Sequence, residues 1–139
     1  VKLAEKDIVM GFDFGQKKIG IAVGQIITAT ATPVSIIKAK NGIPDWDEIK
    51  NLIEEWKPSL LVIGFPINMD GTESEMSRLS LKFGRKLNGR FNLPFEMMDE
   101  RLTSFEARQE TKEQGEQIDD VAAKIILESF FEAYLSQLS

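Results

Sequence analysis

The chain contains no cysteine and no histidine. The first absence removes disulfides, thiol nucleophiles and thiolate metal sites; the second removes the imidazole base and the commonest zinc ligand. A serine triad in its usual form is excluded with them. Chemistry must then rest on Asp, Glu, Ser, Thr, Lys or Arg, or on a hard cation held by oxygen ligands, which favours magnesium or manganese over zinc. No apolar run approaches the ~20 residues that a membrane span needs. The segment from Val1 to Asp7 shows neither a long apolar region nor a small-residue cleavage site, so no secretory signal is read and a cytoplasmic protein without a membrane partner is expected. Basic residues are outnumbered: 17 Lys and Arg against 22 Asp and Glu give a net charge of −5. That balance argues against nucleic-acid binding by bulk charge and leaves room for a local basic face only.

What is present is 139 residues, 42% hydrophobic and 28% charged, enough for a single globular domain over 1–139 with a sizeable core. The chain opens on two apolar runs, Ile8 to Asp13 and Ile19 to Val23, joined by a glycine-containing turn, and this reads as a hairpin. A third strand is expected from Ile27 to Thr32, resuming after Pro33 to Ile37, with the proline at an edge or a bulge. Asn41 to Pro44 reads as a turn. Asp45 then caps a helix whose face carries Trp46, Ile49, Leu52, Ile53 and Trp56, stopped at Lys57-Pro58. The unbroken apolar run Leu60 to Phe65 marks a strand buried on both faces. After a loop of turn formers, a helix is expected from about Glu73 to Arg90, then a strand from Leu93 to Met98. Thr103 with Glu106 forms a capping box for a helix over roughly Ser104 to Gln114, and a last helix starts near Asp119 or Asp120. The order predicts an α/β fold: a mixed five-stranded sheet, a three-strand meander plus two parallel crossover strands, flanked by helices.

Ligands in such sheets gather at the carboxyl ends of the parallel strands. Asp13 closes the first strand, Asp99-Glu100 follow the last, and Asp119-Asp120 open the final helix, so these acids are expected at one edge. Taken singly each has an ordinary explanation: Asp13 as a turn former, Asp119 and Asp120 as helix caps, and one of the adjacent pair Asp99-Glu100 turned away by strand alternation. Taken together, several carboxylates at one edge of a chain without His or Cys describe a Mg2+ or Mn2+ site of the kind that hydrolyses phosphodiesters.

The motifs that run through these residues resemble those of one family. Asp13-Phe14-Gly15 with Lys17 to Gly24, then Gly64 to Glu73, then Asp99 to Ser104 with Glu106-Ala107-Arg108, then Asp119 with Ala122-Ala123, look like the successive motifs of the YqgF family, also called RuvX. The resemblance covers about residues 8 to 135. It implies a ribonuclease H-like fold and a cytoplasmic nuclease, a hydrolase of ribosome biogenesis acting in 5′-end processing of 16S pre-rRNA. By structural analogy it also implies resolution of branched DNA such as a Holliday junction. Position by position, the resemblance places the catalytic, metal-holding acids at Asp13, Glu100 and Asp119, with Asp99 and Asp120 as auxiliaries. The implied partners are structured RNA or branched DNA and pre-ribosomal particles. Between Gly115 and Ile118 the chain departs from the family pattern, being short and acidic before the last aspartate.

For the grip on substrate, Lys17, Lys18, Arg101 and Thr103 lie beside the acids in sequence. Arg78, Lys82 and Arg85, with Lys86 and Arg90, form an acid-free basic stripe that is either a solvated face or a phosphate contact. The loop with Asn68, Gly71 and Thr72 opens a helix whose amides could take a phosphate. Three rivals are weighed. Asp-Phe-Gly in protein kinases follows a glycine-rich loop and a catalytic loop, which residue 13 leaves no room for. Actin-like and sugar-kinase ATPases share the early Asp-x-Gly turn but pair two lobes. A non-catalytic RNA-binding assembly module would keep the fold without turnover. Junction resolution requires two sites in a symmetric dimer, and the residues leave monomer or homodimer open.

Overall fold

The computed structural model describes residues 2–65, 70–99 and 118–138. Its elements are β1 (Ile8–Asp13), β2 (Lys18–Gln25), β3 (Thr30–Lys40), β4 (Ile43–Pro44), α1 (Trp46–Trp56), β5 (Leu60–Phe65), α2 (Glu75–Phe91), β6 (Phe95–Asp99) and α3 (Ile118–Leu138). The helix expected over 104–114 lies outside the described residues. The strands form one sheet in the order β4-β3-β2-β1-β5-β6. β1, β2 and β3 are antiparallel neighbours, and β5 and β6 run parallel to β1. The mixed sheet with its later strands parallel to the first is thus present, with six strands in place of the expected five.

The sixth strand comes from a turn chemistry stronger than a plain loop. Asn41 and Gly42 both have positive φ, 52° and 79°, the conformation of a two-residue hairpin turn that asparagine and glycine tolerate. It folds Ile43 and Pro44 back against Lys40 and Ala39. The third strand also starts later than expected. Ile27, Thr28 and Ala29 belong to a turn in which the Ala29 amide donates to the Gln25 and Ile26 carbonyls, each at 3.0 Å. Pro33 sits at a bulge, where pairing shifts from Ile21↔Ser35 to Ala22↔Pro33 and leaves Val34 unmatched; a residue without an N–H disturbs the ladder least there. α1 begins and ends where expected: the Asp45 carboxylate accepts from the Asp47 amide, and Lys57, at φ 48°, closes the helix onto the Ile53 carbonyl.

Strand alternation divides the core into two layers. Met10, Phe12, Ile21 and Ile63 face α1 and α2, where they meet Ile49, Phe83 and Leu87. Val9, Ala22 and Val62 face α3, where they meet Ala123, Leu127 and Phe131. Two close approaches fix the direction of α3. A Cβ on Gly11 would stand 3.0 Å from Leu127 Cβ and 3.4 Å from the Ala123 carbonyl, and one on Gly24, the partner of Val9, would stand 2.8 Å from the Phe131 ring. α3 therefore runs antiparallel to β1, with Phe131 level with Val9 and the Ala123–Leu127 turn level with Gly11. Gly11→Ala should push the helix off the sheet, since a helix Cβ cannot rotate away. The expected cost is about 1–3 kcal/mol, read as a lower urea midpoint. Among the described residues, no helix is long and apolar enough to cross a membrane.

Candidate metal and nucleic-acid site

Asp13 is the last residue of β1 and is half-buried. Its direction is set by its neighbours. Phe12 and Phe14 both pack on Phe83 in the α1/α2 layer, with ring centroids 5.7 and 5.0 Å away, so alternation turns the residue between them to the α3 face. On that face its partner in β2 is Gly20, and the parallel register Phe12↔Ile63 brings Gly64 alongside on β5. Neither flanking position adds a side chain, so the carboxylate stands between two bare stretches of backbone where a ligand can approach closely.

The next candidate acid lies on α3. Ala123 lies over Gly11, and one helical turn towards the N-terminus is Asp119, which the antiparallel run of α3 carries to the level of Asp13. Helix geometry agrees: the four residues from Ala123 back to Asp119 rise about 6 Å, matching the ~7 Å of strand from Gly11 to Asp13. Asp119 and Asp120 lie at the N-terminal end of the described part of this helix.

Asp99, the last residue of β6, falls on the other face. Met98 belongs to the α3 layer, whereas Phe95 and Met97 pack in the α1/α2 layer. Asp99, half-buried and in register with Phe65, shares the parity of the latter. Two strand spacings place it roughly 10 Å from Asp13, on the opposite side of the sheet. Glu100, Arg101 and Thr103 lie outside the described residues, as does Asn68. Among the described residues no group of three acids converges on one point.

The basic residues divide in the same way. Lys17 and Lys18 are exposed in and after the β1–β2 turn, and Lys18 shares the α3 face with its strand neighbour Gly20. Arg78, Lys82 and Arg85 are exposed as expected. However, α2 buries Phe83 and Leu87 against the other face of the sheet, so the structure does not bring the stripe to the side of Asp13. Arg90, at the end of that stripe, stacks 4.3 Å over the Trp46 ring. In the loop before α2, Gly71 has φ 89°. The Thr72 amide and hydroxyl both donate to Asp70 Oδ1, at 3.0 and 2.7 Å, and Ser74 and Ser77 form a reciprocal capping box. Ser74 thus caps α2, and the Asp70–Thr72 contacts lie within the loop before it.

Sequence reasoning did not single out Lys38 and Lys40 of β3. Lys38 pairs directly with Lys18, and both new lysines are exposed. The signal was available, since no acid stands anywhere between Asp13 and Asp45.

Comparison with known proteins gives this geometry a class. The fold matches Thermus thermophilus RuvC in complex with Holliday junction substrate at a TM-score of 0.54 and 13% identity, over 93% of this chain and 96% of that one. It matches the yeast mitochondrial Holliday junction resolvase Ydc2 at 0.51 and 12%, over 98% and 85%. The fold is therefore ribonuclease H-like, of the kind seen in these resolvases. The family model described as RuvX, Holliday junction resolvase, matches residues 7–133. A relative from Pseudomonas putida named "Putative pre-16S rRNA nuclease" is 49% identical over 94% of this chain and 99% of its own length. A relative of the same name from Coxiella burnetii is 49% identical over 90% and 92%. The chain belongs to the RuvX family, and as a member it is a nuclease, a hydrolase acting on nucleic acids.

Proposed function

We propose that this chain cleaves phosphodiester bonds of structured RNA with a divalent cation held by Asp13, Glu100 and Asp119. The RNA we propose is the 5′ flank of pre-16S rRNA, met in pre-ribosomal particles in the cytoplasm. The observation that carries the site is the pinning of Asp13 on the α3 face, between Gly20 and Gly64, with the Asp119 segment of α3 at its level. Asp99 falls on the α1/α2 side of the sheet, away from Asp13, and Glu100 is the acid that the family resemblance assigns to the site. The donor chemistry fits the ion. A set of carboxylate oxygens, in a chain with no His or Cys, suits Mg2+ or Mn2+ and not zinc.

When bound, the cation supplies Lewis-acid polarisation of the phosphoryl group and acidification of water. The chain's own part is to orient the acids and to neutralise the phosphate. Asp13 is held by the Phe12–Phe83–Phe14 packing behind it. Lys18, on the same face, offers a point charge to a substrate phosphate, with Lys17 and Arg101 in support. The test is cleavage of a stem–loop RNA and of a four-way DNA junction, each with Mg2+, with Mn2+ and with EDTA. RNA cleavage that needs either ion supports the reading. Cleavage that persists in EDTA, or RNA binding without any cleavage, overturns it in favour of a metal-independent enzyme or an RNA-binding module.

A further inference from the structure

We infer that the lysine-bearing end of the β2–β3 ribbon is a track for the phosphodiester backbone flanking the scissile bond, with Lys38 and Lys40 as positioning residues; this rests on the nuclease reading above. The first support is charge segregation. In a chain with 22 acids, residues 14–44 contain none, and their four lysines, at 17, 18, 38 and 40, all lie at one end of the ribbon, the end next to Asp13. The far end, from Gln25 to Thr30, carries no charge.

The second support is register. Ile19↔Ile37 pair into the α1/α2 layer, so the next pair, Lys18↔Lys38, faces the α3 side, as does Lys40 by alternation. This is the face of Asp13. Like charges directly opposite each other on adjacent strands are destabilising, and Lys18 and Lys38 are both exposed. Among the described residues no ion pair holds Lys17, Lys38 or Lys40. Such an arrangement is favourable once an anionic chain lies across it.

The third support is reach. β2 and β3 extend past the end of β1, since Gly20 is already level with Asp13. Strand spacings place the α-carbons of Lys18, Lys38 and Lys40 roughly 8, 12 and 16 Å from that of Asp13, a progression covering two or three phosphates at about 3.4 Å of rise each. The basic stripe of α2 packs on the other face of the sheet.

The test measures binding by fluorescence anisotropy in EDTA, with a labelled stem–loop RNA and a labelled four-way DNA junction, across a salt series. Lys38→Gln/Lys40→Gln is compared with wild type, with Lys82→Gln/Arg85→Gln and with Lys2→Gln/Lys50→Gln; each double variant removes two positive charges. The expected result for Lys38→Gln/Lys40→Gln is at least a tenfold loss of affinity near 0.1 M salt. Its log–log salt slope should be shallower by about one per lysine. Its Tm should be equal to or above wild type, because a like-charge pair is gone. Equal loss in Lys2→Gln/Lys50→Gln would reduce the effect to bulk charge and overturn the inference. Loss confined to Lys82→Gln/Arg85→Gln, wild-type binding by Lys38→Gln/Lys40→Gln, a fall in Tm parallel to the loss of binding, or no binding by wild type would each overturn it as well. The nuclease reading is judged separately, by metal-dependent cleavage: a lysine-dependent binder that never cuts keeps the track and loses the nuclease, and a cutter indifferent to these lysines does the reverse.

Discussion

Asp13→Asn should lower metal-dependent cleavage by about a thousandfold while leaving the protein folded. The substitution keeps the size of the side chain and removes its charge, so the packing of Phe12 and Phe14 on Phe83 survives, while the site loses an anionic ligand. Stabilisation by a bound cation amounts to several kcal/mol, and about 1.4 kcal/mol is tenfold in rate. Single-turnover rates in Mg2+ on the stem–loop RNA measure the effect. Affinity in EDTA should hold or improve, since a carboxylate that repels phosphate has gone. The proposed site adds an ordering among the neighbours: Glu100→Gln should match Asp13→Asn, whereas Asp99→Asn, on the opposite face of the sheet, should cost less than about tenfold. Asp119→Asn should fall with the first group. An Asp13→Asn protein that cuts at the wild-type rate would remove Asp13 from the chemistry.

Phe131→Ala should cost about 3–5 kcal/mol of stability, a large part of the roughly 5–15 kcal/mol a domain of this kind has to lose. Phe131 is fully buried, lies against the position where Gly24 leaves room for its ring, and packs beside Phe130 at 6.1 Å between centroids. It anchors the far end of the helix that carries Asp119. The hydrogen bond from the Ala31 amide to Glu128, 2.9 Å, ties the same stretch to β3 and cannot replace the lost ring contacts. Urea denaturation should show a lower midpoint with an unchanged slope, and cleavage near body temperature should fall with the folded population. Leu138→Ala serves as a control: its side chain is 67% exposed, so its removal should be almost neutral. Equal stability of Phe131→Ala and wild type would mean that α3 is held by something other than this contact.

The strands and helices were legible where periodicity and caps spoke together. Leu60–Phe65 is a fully apolar run because both its faces are covered, and Asp45 with Lys57-Pro58 bracketed α1 because cap chemistry is local. Ala29 was misread because a non-glycine residue took a left-handed turn without announcing it. β4 was missed because a two-residue strand has no period to detect; only its Asn-Gly turn was readable. In the candidate site, the position of Asp13 at a strand end was readable, but its face was not. That depends on Phe12 and Phe14 sharing one aromatic partner, Phe83, far along the chain. The same holds for the α2 stripe, whose spacing shows a basic face without saying on which side of the sheet the helix packs. Lys38 and Lys40 belong to no run of positive charge; the feature that marks them is a long stretch without negative charge.

The antiparallel course of α3 has a consequence for when the protein becomes competent. Asp13 and Asp119 are brought level by contacts such as Gly11–Leu127 and Gly24–Phe131, and the Leu3 amide is tied to the Tyr134 hydroxyl across 131 positions of sequence. Contacts this distant in sequence form late, after the loop they close has lost its freedom. During synthesis the meander and the first crossover can assemble around Asp13 long before the last helix exists. On the proposed arrangement of the site, a growing chain carries Asp13 well before it gains Asp119, which arrives only as α3 docks, so a ribosome-bound fragment stays harmless to the RNA around it until that helix is in place.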